Sequence, residues 1–446
     1  MNPLMNTLKV FLPAAFMVAC TMPSVEAARP STIRISLQPA RVPQPILRYR
    51  LSPPVSDLVS GDPWMRYRKA RDLAAGLGAN VMRVLDPPDD EEITPAKVET
   101  ALTAARQFFR EMDAGARTQQ CGMAAARASH LGLEDHEIRN MARLLLRKLR
   151  HEITTSKHES ALRTIQTLLA FSWHVADDLQ SISFLVAIAI QRDTLDQVIE
   201  LMSASDRPNL YWALTILPQR FELPAIVEKD INGVYATPPV LRGDFTKVDR
   251  ETLEDLITGF APAALEGKDV DAVVKADYSL IVAQIPAAKV GKVDIATMRE
   301  AVLRNALQIR QAFAHRHIAI ASLAFPDQQR EMRKLATDMS NVKGTVARAF
   351  TEALPPDFVE LIPLVEQTVA VLRVVDAVSN HLAAHGNNVP LGADTTYDLP
   401  LPKDPFTDKP FSIQRRGNEI LVDTAPVPTP RPMHCRIKLK QSKAAR

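Results

Sequence analysis

Two histidines in this sequence have the side-chain type and the spacing that metal binding requires. His381 and His385 lie four residues apart in a segment predicted to be helical, so both imidazoles project from one face. Leu382 stands where a zinc protease has its catalytic glutamate, and the sequence shows no third ligand beside the pair. Both histidines also lie in the last predicted turn, where the helix dipole favours a protonated imidazole. We therefore predict a helix-capping role for them, with no bound metal and no other cofactor.

The sequence lacks the short motifs that identify the common enzyme classes. It contains no G-x-S-x-G nucleophile elbow, no phosphate-binding P-loop and no G-x-G-x-x-G dinucleotide fingerprint. The ionisable cluster at residues 134–137 begins a predicted helix, where acidic side chains cap free backbone N–H groups. We expect a protein that is not an enzyme. The alternative is a hydrolase whose active site combines residues distant in sequence.

Two adjacent aromatic residues, Tyr211 and Trp212, lie in a short predicted helix that Pro218 ends. Helical stacks often bind ligands along a concave face, so both rings are candidates for lining a ligand groove. The alternative is that they anchor the core where the stack closes, since the chain has only three tryptophans.

The first 27 residues have the three parts of a secretory signal peptide. Lys9 precedes an apolar stretch, and Val25-Glu26-Ala27 forms a cleavage site of the small-residue type. We therefore expect export to the periplasm or the cell envelope. Cys20 follows Met-Val-Ala, which approximates a lipoprotein lipobox, so it is a lipidation candidate and the only basis for membrane attachment.

After cleavage of that signal, two cysteines remain, Cys121 and Cys435. An oxidising compartment would allow them to form a disulfide between the tail and the N-terminal helices. Two free thiols are the equal alternative, because one residue is predicted on a helix and the other near a chain end.

Composition favours helices and argues against a nucleic-acid partner. The 446 residues include 33 prolines but only 15 glycines, which suits long helices stopped by proline better than a turn-rich sheet protein. The 54 basic and 51 acidic residues leave a formal charge of only +3, so no global field attracts a polyanion. The expected partner is an envelope protein or peptide.

Apolar residues at helical spacing predict an all-α protein, built as an antiparallel stack of the TPR or α-solenoid kind with a small C-terminal β-hairpin. The run Phe184–Ile190 is apolar all round and should be the centre of the core. Two short strands around Gly417-Asn418 predict the hairpin. The predicted segments are a signal peptide at 1–27, a proline-rich extended arm at 28–64, an N-terminal helical stack at 65–234, a connection at 235–250, a C-terminal helical region at 251–386, a loop with the hairpin at 387–425, and a basic disordered tail at 426–446.

Three motifs in this order resemble a large family of secreted bacterial proteins: ALRT at 161–164, PNLYWAL at 208–214 and DPFTDKPF at 404–411. The resemblance extends from about Arg41 to Ile420 and implies an exported helical protein; no activity is assigned to that family. Residues 159–165 are also similar to the second helix of a tetratricopeptide repeat, with Ala161 at the small packing position.

The C-terminal order of helix, Gly-Asn loop, proline-rich segment and hairpin resembles the periplasmic end of type II secretion pseudopilins. Two features depart from that family: the chain begins with a signal peptide in place of an assembly helix, and Asp408 stands where glycine is usual. Aspartate fits there if the backbone is left-handed. We expect an exported scaffold or binding protein of the bacterial cell envelope, with a secretion-system accessory protein as a further alternative.

Overall fold

The computed structural model describes most of the chain. The described residues are 31–37, 49–87, 93–119, 133–177, 181–204, 207–218, 221, 223–228, 269–283, 293–325, 327–349, 360–386, 389–392, 395–423 and 433–439. The predicted signal peptide with Cys20, the connection at 235–250 and Cys121 lie outside these residues.

The described residues are mostly helical, with small β-sheets at both ends of the chain. The helices are α1 (Pro63–Ala75), α2 (Ala79–Leu85), α3 (Pro95–Ala104), α4 (Arg106–Ala116), α5 (Asp135–Thr154), α6 (His158–Ala176), α7 (Ser181–Ser203), α8 (Tyr211–Thr215), α9 (Val270–Val282), α10 (Ile295–Ala321), α11 (Asp327–Ser340), α12 (Thr345–Ala349) and α13 (Leu361–His385). The strands are β1 (Ser31–Leu37), β2 (Val59–Ser60), β3 (Thr118–Gln119), β4 (Lys403–Asp404), β5 (Lys409–Pro410), β6 (Ser412–Arg416), β7 (Glu419–Asp423) and β8 (Met433–Leu439). No helix among them has both the length and the apolar character needed to cross a membrane.

The chain divides into two compact units. The main unit is formed by Ala28–Phe221 together with Leu361–Arg446, and the inserted unit by Glu222–Glu360. The sequence predicted a single boundary at 235–250 and grouped α13 with the helices before it. The structure instead places α13 in the main unit, because α13 packs against α7 and α8.

Local signals in the sequence account for where the first helices begin. The Asp62 side chain accepts a hydrogen bond from Trp64 N at 2.9 Å, and Pro63 occupies the first turn of α1. Glu134 and Glu137 form the reciprocal capping box that opens α5. Residues 95–116 form two helices, α3 and α4, which meet at Ala105.

Helices α5, α6 and α7 pack on one another and supply much of the core of the main unit. The predicted apolar stripes of α5 and α6 are buried, as are most residues of the Phe184–Ile190 run. The helix that contains this run, α7, continues past it without a break to Ser203. Burial of these side chains away from water is the main driving force for stacking the helices.

The C-terminal hairpin strands belong to a larger sheet. β6 pairs antiparallel with β7, β7 with β8, and β8 runs parallel to β1, so the strand order is β1-β8-β7-β6. The prediction of a disordered tail is therefore wrong for Met433–Leu439. In β8 the buried residues Cys435, Ile437 and Leu439 alternate with exposed Arg436 and Lys438, a period of two that the basic charges obscured. The extended arm likewise contains β1, which contacts α7.

The inserted unit has its own small core between α9, α10 and α12. Its central residues include Val274, Leu303 and Val346, all buried. Asp277, on α9, accepts hydrogen bonds from Thr345 N at 2.8 Å and Val346 N at 2.7 Å, which caps the first turn of α12. One buried carboxylate thus connects α9 to the start of α12.

A buried ion pair attaches α13 to the rest of the main unit. The Arg207 guanidinium donates to Asp376, whose side chain is fully buried, and Leu210 N donates to the other carboxylate oxygen at 2.7 Å. Both charged side chains are shielded from solvent, so the stability of the pair depends on its hydrogen bonds. It fixes the loop before α8 against the middle of α13.

Loss of this carboxylate should destabilise the main unit strongly. We expect Asp376→Ala to lower the free energy of unfolding by about 3–5 kcal/mol, because it leaves Arg207 charged and buried without its partner. Urea unfolding monitored by circular dichroism measures the change. The control is Asp86→Ala, which removes the half-exposed partner of Arg143 and should cost less than about 1 kcal/mol. Equal losses in the two variants would contradict this role of the buried pair.

Candidate functional site

Helix α13 positions most of the polar groups that could act on a ligand. It runs for 25 residues and is buried along most of its length. An apolar helix of this kind still contains buried polar residues at Gln367, Asp376 and His381. Because burial of a polar group is costly without a partner, each of them marks a place where another segment docks on the helix.

A groove of about 750 Å³ lies along the first half of α13. Its size falls in the usual range for small-molecule and peptide side-chain sites. The lining residues come from α7, from the end of α8 and the residues after it, from α13, and from the proline-rich segment before β5: Gln191, Leu214, Thr215, Leu217, Pro218, Phe221, Ile362, Val365, Glu366, Val369, Ala370, Arg373, Pro402, Lys403 and Pro405. Most of these side chains are apolar.

Three ionisable side chains line this groove. Glu366 and Arg373 lie seven residues apart on α13, about 10 Å along the helix axis, and Lys403 comes from β4. Burial raises the pKa of Glu366 above its usual value. The Arg373 guanidinium lies 5.3 Å from the centre of the Tyr211 ring and donates to the Tyr211 hydroxyl at 3.5 Å, while its buried Nε has no hydrogen-bond partner among the described residues. The groove thus contains a cationic group whose hydrogen bonding is only partly satisfied.

The proline-rich wall of the groove is held by Asp404. This fully buried carboxylate accepts from Gln367 Nε2 at 2.9 Å, from Phe406 N at 3.2 Å and from Thr407 Oγ1 at 3.1 Å. The chain then turns back at Asp408, whose φ of +53° is left-handed, a conformation that aspartate tolerates. Asp404 therefore positions Pro402 and Pro405 against α13.

Tyr211 and Trp212 do not line the groove. Tyr211 is fully buried in a cluster with Ala377 and Leu399, and its hydroxyl donates to the Pro400 carbonyl. Trp212 packs against the same cluster, with its ring edge-on to Tyr211 at 5.1 Å. Of the two alternatives for this pair, the structure favours the core anchor. Tyr211 contributes to the groove only indirectly, because its ring packs against the Arg373 guanidinium.

The two histidines at the end of α13 share a carboxylate that sequence reasoning missed. His381 Nδ1 lies 3.0 Å from one oxygen of Asp398, and His385 Nε2 lies 3.0 Å from the other. The two imidazoles are 4.5 Å apart, and the Tyr397 ring flanks His381 at 5.2 Å. Hydrogen bonding to His385, then to His381, lowers the pKa of Asp398. The histidines thus make their polar contacts with this loop.

Cys435 carries a free thiol that is fully buried in β8. The disulfide is therefore not formed at Cys435 in this structure, whereas Cys121 and Cys20 lie outside the described residues. Burial, with a smaller contribution from Asp423, raises the pKa of the Cys435 thiol to about 12.

Sequence reasoning missed Glu366, Arg373, Asp398 and Asp404. Glu366 and Arg373 had a usable signal, because two charged residues interrupt the apolar pattern of α13 at helical spacing. Asp398 lies in a loop and had no such signal. Asp404 ends the short strand β4 and begins the DPFTDKPF motif, but its role follows only from docking on α13.

Comparison of the chain with protein-family models, with curated proteins and with solved structures finds no match.

The Cys435 thiol should resist alkylation in the folded protein. Between the ordinary thiol pKa of about 8.5 and the folded value near 12, the unfolded chain loses this proton and the folded chain keeps it. Unfolding should therefore become easier as pH rises, by up to about 1.4 kcal/mol per pH unit relative to Cys435→Ala, in which the effect is absent. Denaturant unfolding of both variants across the alkaline range, with peptide mapping of iodoacetamide labelling, measures this. Rapid labelling of Cys435 before unfolding would contradict the expectation.

Proposed function

We propose that this protein is an exported helical binding protein of the bacterial cell envelope, and that the groove on α13 takes an apolar, anionic segment of an envelope protein or peptide. The observation that carries the proposal is Arg373, a half-buried guanidinium in a mostly apolar groove, which makes one long hydrogen bond, at 3.5 Å, to the Tyr211 hydroxyl. The TPR-like character of the helical stack is part of the same proposal.

The groove chemistry supports an anionic group in the ligand. A guanidinium donates two parallel hydrogen bonds to a carboxylate, and these bonds are stronger in surroundings that exclude water. Lys403 also lines the groove, but its ammonium group already pairs with the Asp408 carboxylate at 3.0 Å, which leaves Arg373 as the main cationic group for a ligand. Glu366 lies two turns from Arg373 and would repel an anion from that end. A ligand is therefore oriented with its anionic end at Arg373.

The apolar walls support an aliphatic or aromatic side chain beside that anionic group. Leucine, valine and proline side chains predominate in the lining, and Phe221 contributes one ring. Burying such a side chain contributes about 1.5–3 kcal/mol before the cost of ordering the ligand is subtracted. A groove of this size therefore suits a peptide segment held by one apolar anchor and one carboxylate.

The signal-peptide pattern of residues 1–27 supports the exported location, and the motif resemblance to secreted bacterial proteins supports the same assignment. The secretion-system alternative draws on the C-terminal segment alone. There the left-handed Asp408 is compatible with the glycine position of pseudopilins, although the chain start differs from theirs.

An exported hydrolase is the second candidate, and Glu366 is the observation that favours it. A carboxyl group with a raised pKa in a groove is a candidate general acid. Among the described lining residues, however, the hydroxyl of Thr215 donates to the Tyr211 carbonyl at 2.7 Å, so it is not poised as a nucleophile. Binding therefore explains the groove better than catalysis.

Export can be tested by expressing the full chain in a bacterium and measuring the mass of the mature protein by mass spectrometry. We expect a periplasmic or envelope protein whose N-terminus is an unmodified Ala28, as the cleavage pattern predicts. A lipidated Cys20 at the N-terminus would support the lipoprotein alternative instead. Recovery of the uncleaved chain from the cytoplasm would contradict the proposed location.

The groove can be tested with anilinonaphthalene sulfonate, a fluorescent probe that joins an apolar ring system to an anionic group. We expect one saturable site per chain. Arg373→Gln should weaken binding about tenfold or more, because it removes the charged donor, and Glu366→Gln should leave binding equal or tighter. Val369→Trp should also weaken binding by filling the groove without a change of charge.

Matched controls separate these effects from loss of structure. Arg150→Gln removes an exposed arginine from α5, and Thr368→Trp adds the same ring to α13 outside the groove lining; neither should change probe affinity. Circular dichroism checks folding of each variant. Equal affinity of Arg373→Gln, Val369→Trp and wild type would reject the groove. Turnover of chromogenic ester or glycoside substrates that is lost in Glu366→Gln would favour the hydrolase.

A further inference from the structure

We propose that His381, His385 and Asp398 form a binding site for one divalent transition-metal ion, with zinc as the ion they fit best. The site lies at the carboxyl end of α13, and metal binding there does not require that the groove binds a ligand. Its three candidate ligand atoms are an imidazole nitrogen from each histidine and one carboxylate oxygen, all within 4.8 Å of one another.

The spacing of these atoms is close to that around a bound zinc ion. Bonds of about 2.0–2.2 Å in a tetrahedral site place ligand atoms roughly 3.3 Å apart. Each imidazole nitrogen already lies 3.0 Å from a carboxylate oxygen. The widest separation needs to shrink by at most about 1.5 Å, and rotation of the exposed His385 side chain can supply that movement.

The donor set selects the class of metal. Imidazole nitrogen suits zinc, copper, nickel and iron, whereas calcium and magnesium prefer sites made of oxygen ligands. Two nitrogens and one oxygen from the protein leave at least one coordination position for water, and the exposed side of His385 lies open to solvent.

The electrostatic surroundings also suit a cation. The last turn of α13 presents carbonyl groups and the negative end of the helix dipole, and the helix ends at Gly386, whose φ is +86°. Asp398 adds a full negative charge, which is shared between two imidazoles in the structure. A metal ion would replace these two hydrogen bonds by direct bonds to all three groups.

Metal binding at this point would stabilise the loop that leads to the groove wall. Asp398 precedes Leu399 and Pro400, which contact the Tyr211 anchor, and Pro402 then lines the groove. A metal bond between α13 and Asp398 would therefore hold the start of that loop on the helix.

The test is zinc titration by calorimetry on the full chain, produced without a polyhistidine tag and stripped with a chelator. We expect one zinc ion per chain, a higher melting temperature with zinc, and cobalt substitution that yields visible d–d absorption. His385→Ala and Asp398→Asn change exposed side chains, so both should fold, and each should weaken binding at least about tenfold.

The matched control is His136→Ala. His136 lies 3.1 Å from the Glu134 carboxylate on an exposed surface, a histidine–carboxylate pair without a second histidine beside it, and its loss should not change zinc affinity. The proposal is overturned if zinc does not bind stoichiometrically, or if His385→Ala and Asp398→Asn bind as tightly as wild type. A failed groove test would leave this result unaffected, because no variant is shared between the two experiments.

Discussion

The buried pair of Arg207 and Asp376 is the interaction on which the main unit depends. It joins a loop in the first half of the chain to a helix that follows the whole inserted unit, and both side chains are buried. A charge buried in this way is stable only with its partner in place. The pair therefore fixes the position of α13 relative to α7 and α8. Both candidate sites include side chains of that helix.

The polar side chains of α13 either attach other segments to the helix or line the groove. Gln367 holds the Asp404 turn, Asp376 holds the loop before α8, and His381 contacts Asp398. Glu366 and Arg373, on either side of Gln367 in the sequence, line the groove. A rigid helix keeps all of these groups at fixed intervals of about 1.5 Å per residue. Binding sites supported in this way need little reorganisation when a ligand arrives.

The segment from Asp398 to Asp404 connects the two proposed sites. Its first residue contacts the histidines, its middle contacts Tyr211, and its end lines the groove before Asp404 docks on Gln367. Three separate attachments hold one short loop. The loop is thus ordered by tertiary contacts, although its prolines and its lack of apolar periodicity make it resemble an exposed connection in the sequence.

The sequence by itself determined the helical class, the capping box of α5, the buried stripes of α5 and α6 and the burial of most of the Phe184–Ile190 run, because these follow from spacings within one segment. It also identified His381 and His385 as neighbours on one face. Only the tertiary structure decided that α13 belongs with the N-terminal helices, that Met433–Leu439 pairs with Ser31–Leu37, and that Asp398 and Asp404 reach α13. The physical reason is the separation of the partners in sequence. A helical stripe is encoded within a few turns, whereas the buried ion pair joins residues 169 positions apart and the parallel strand pairing joins the two ends of the chain, so neither leaves a local pattern.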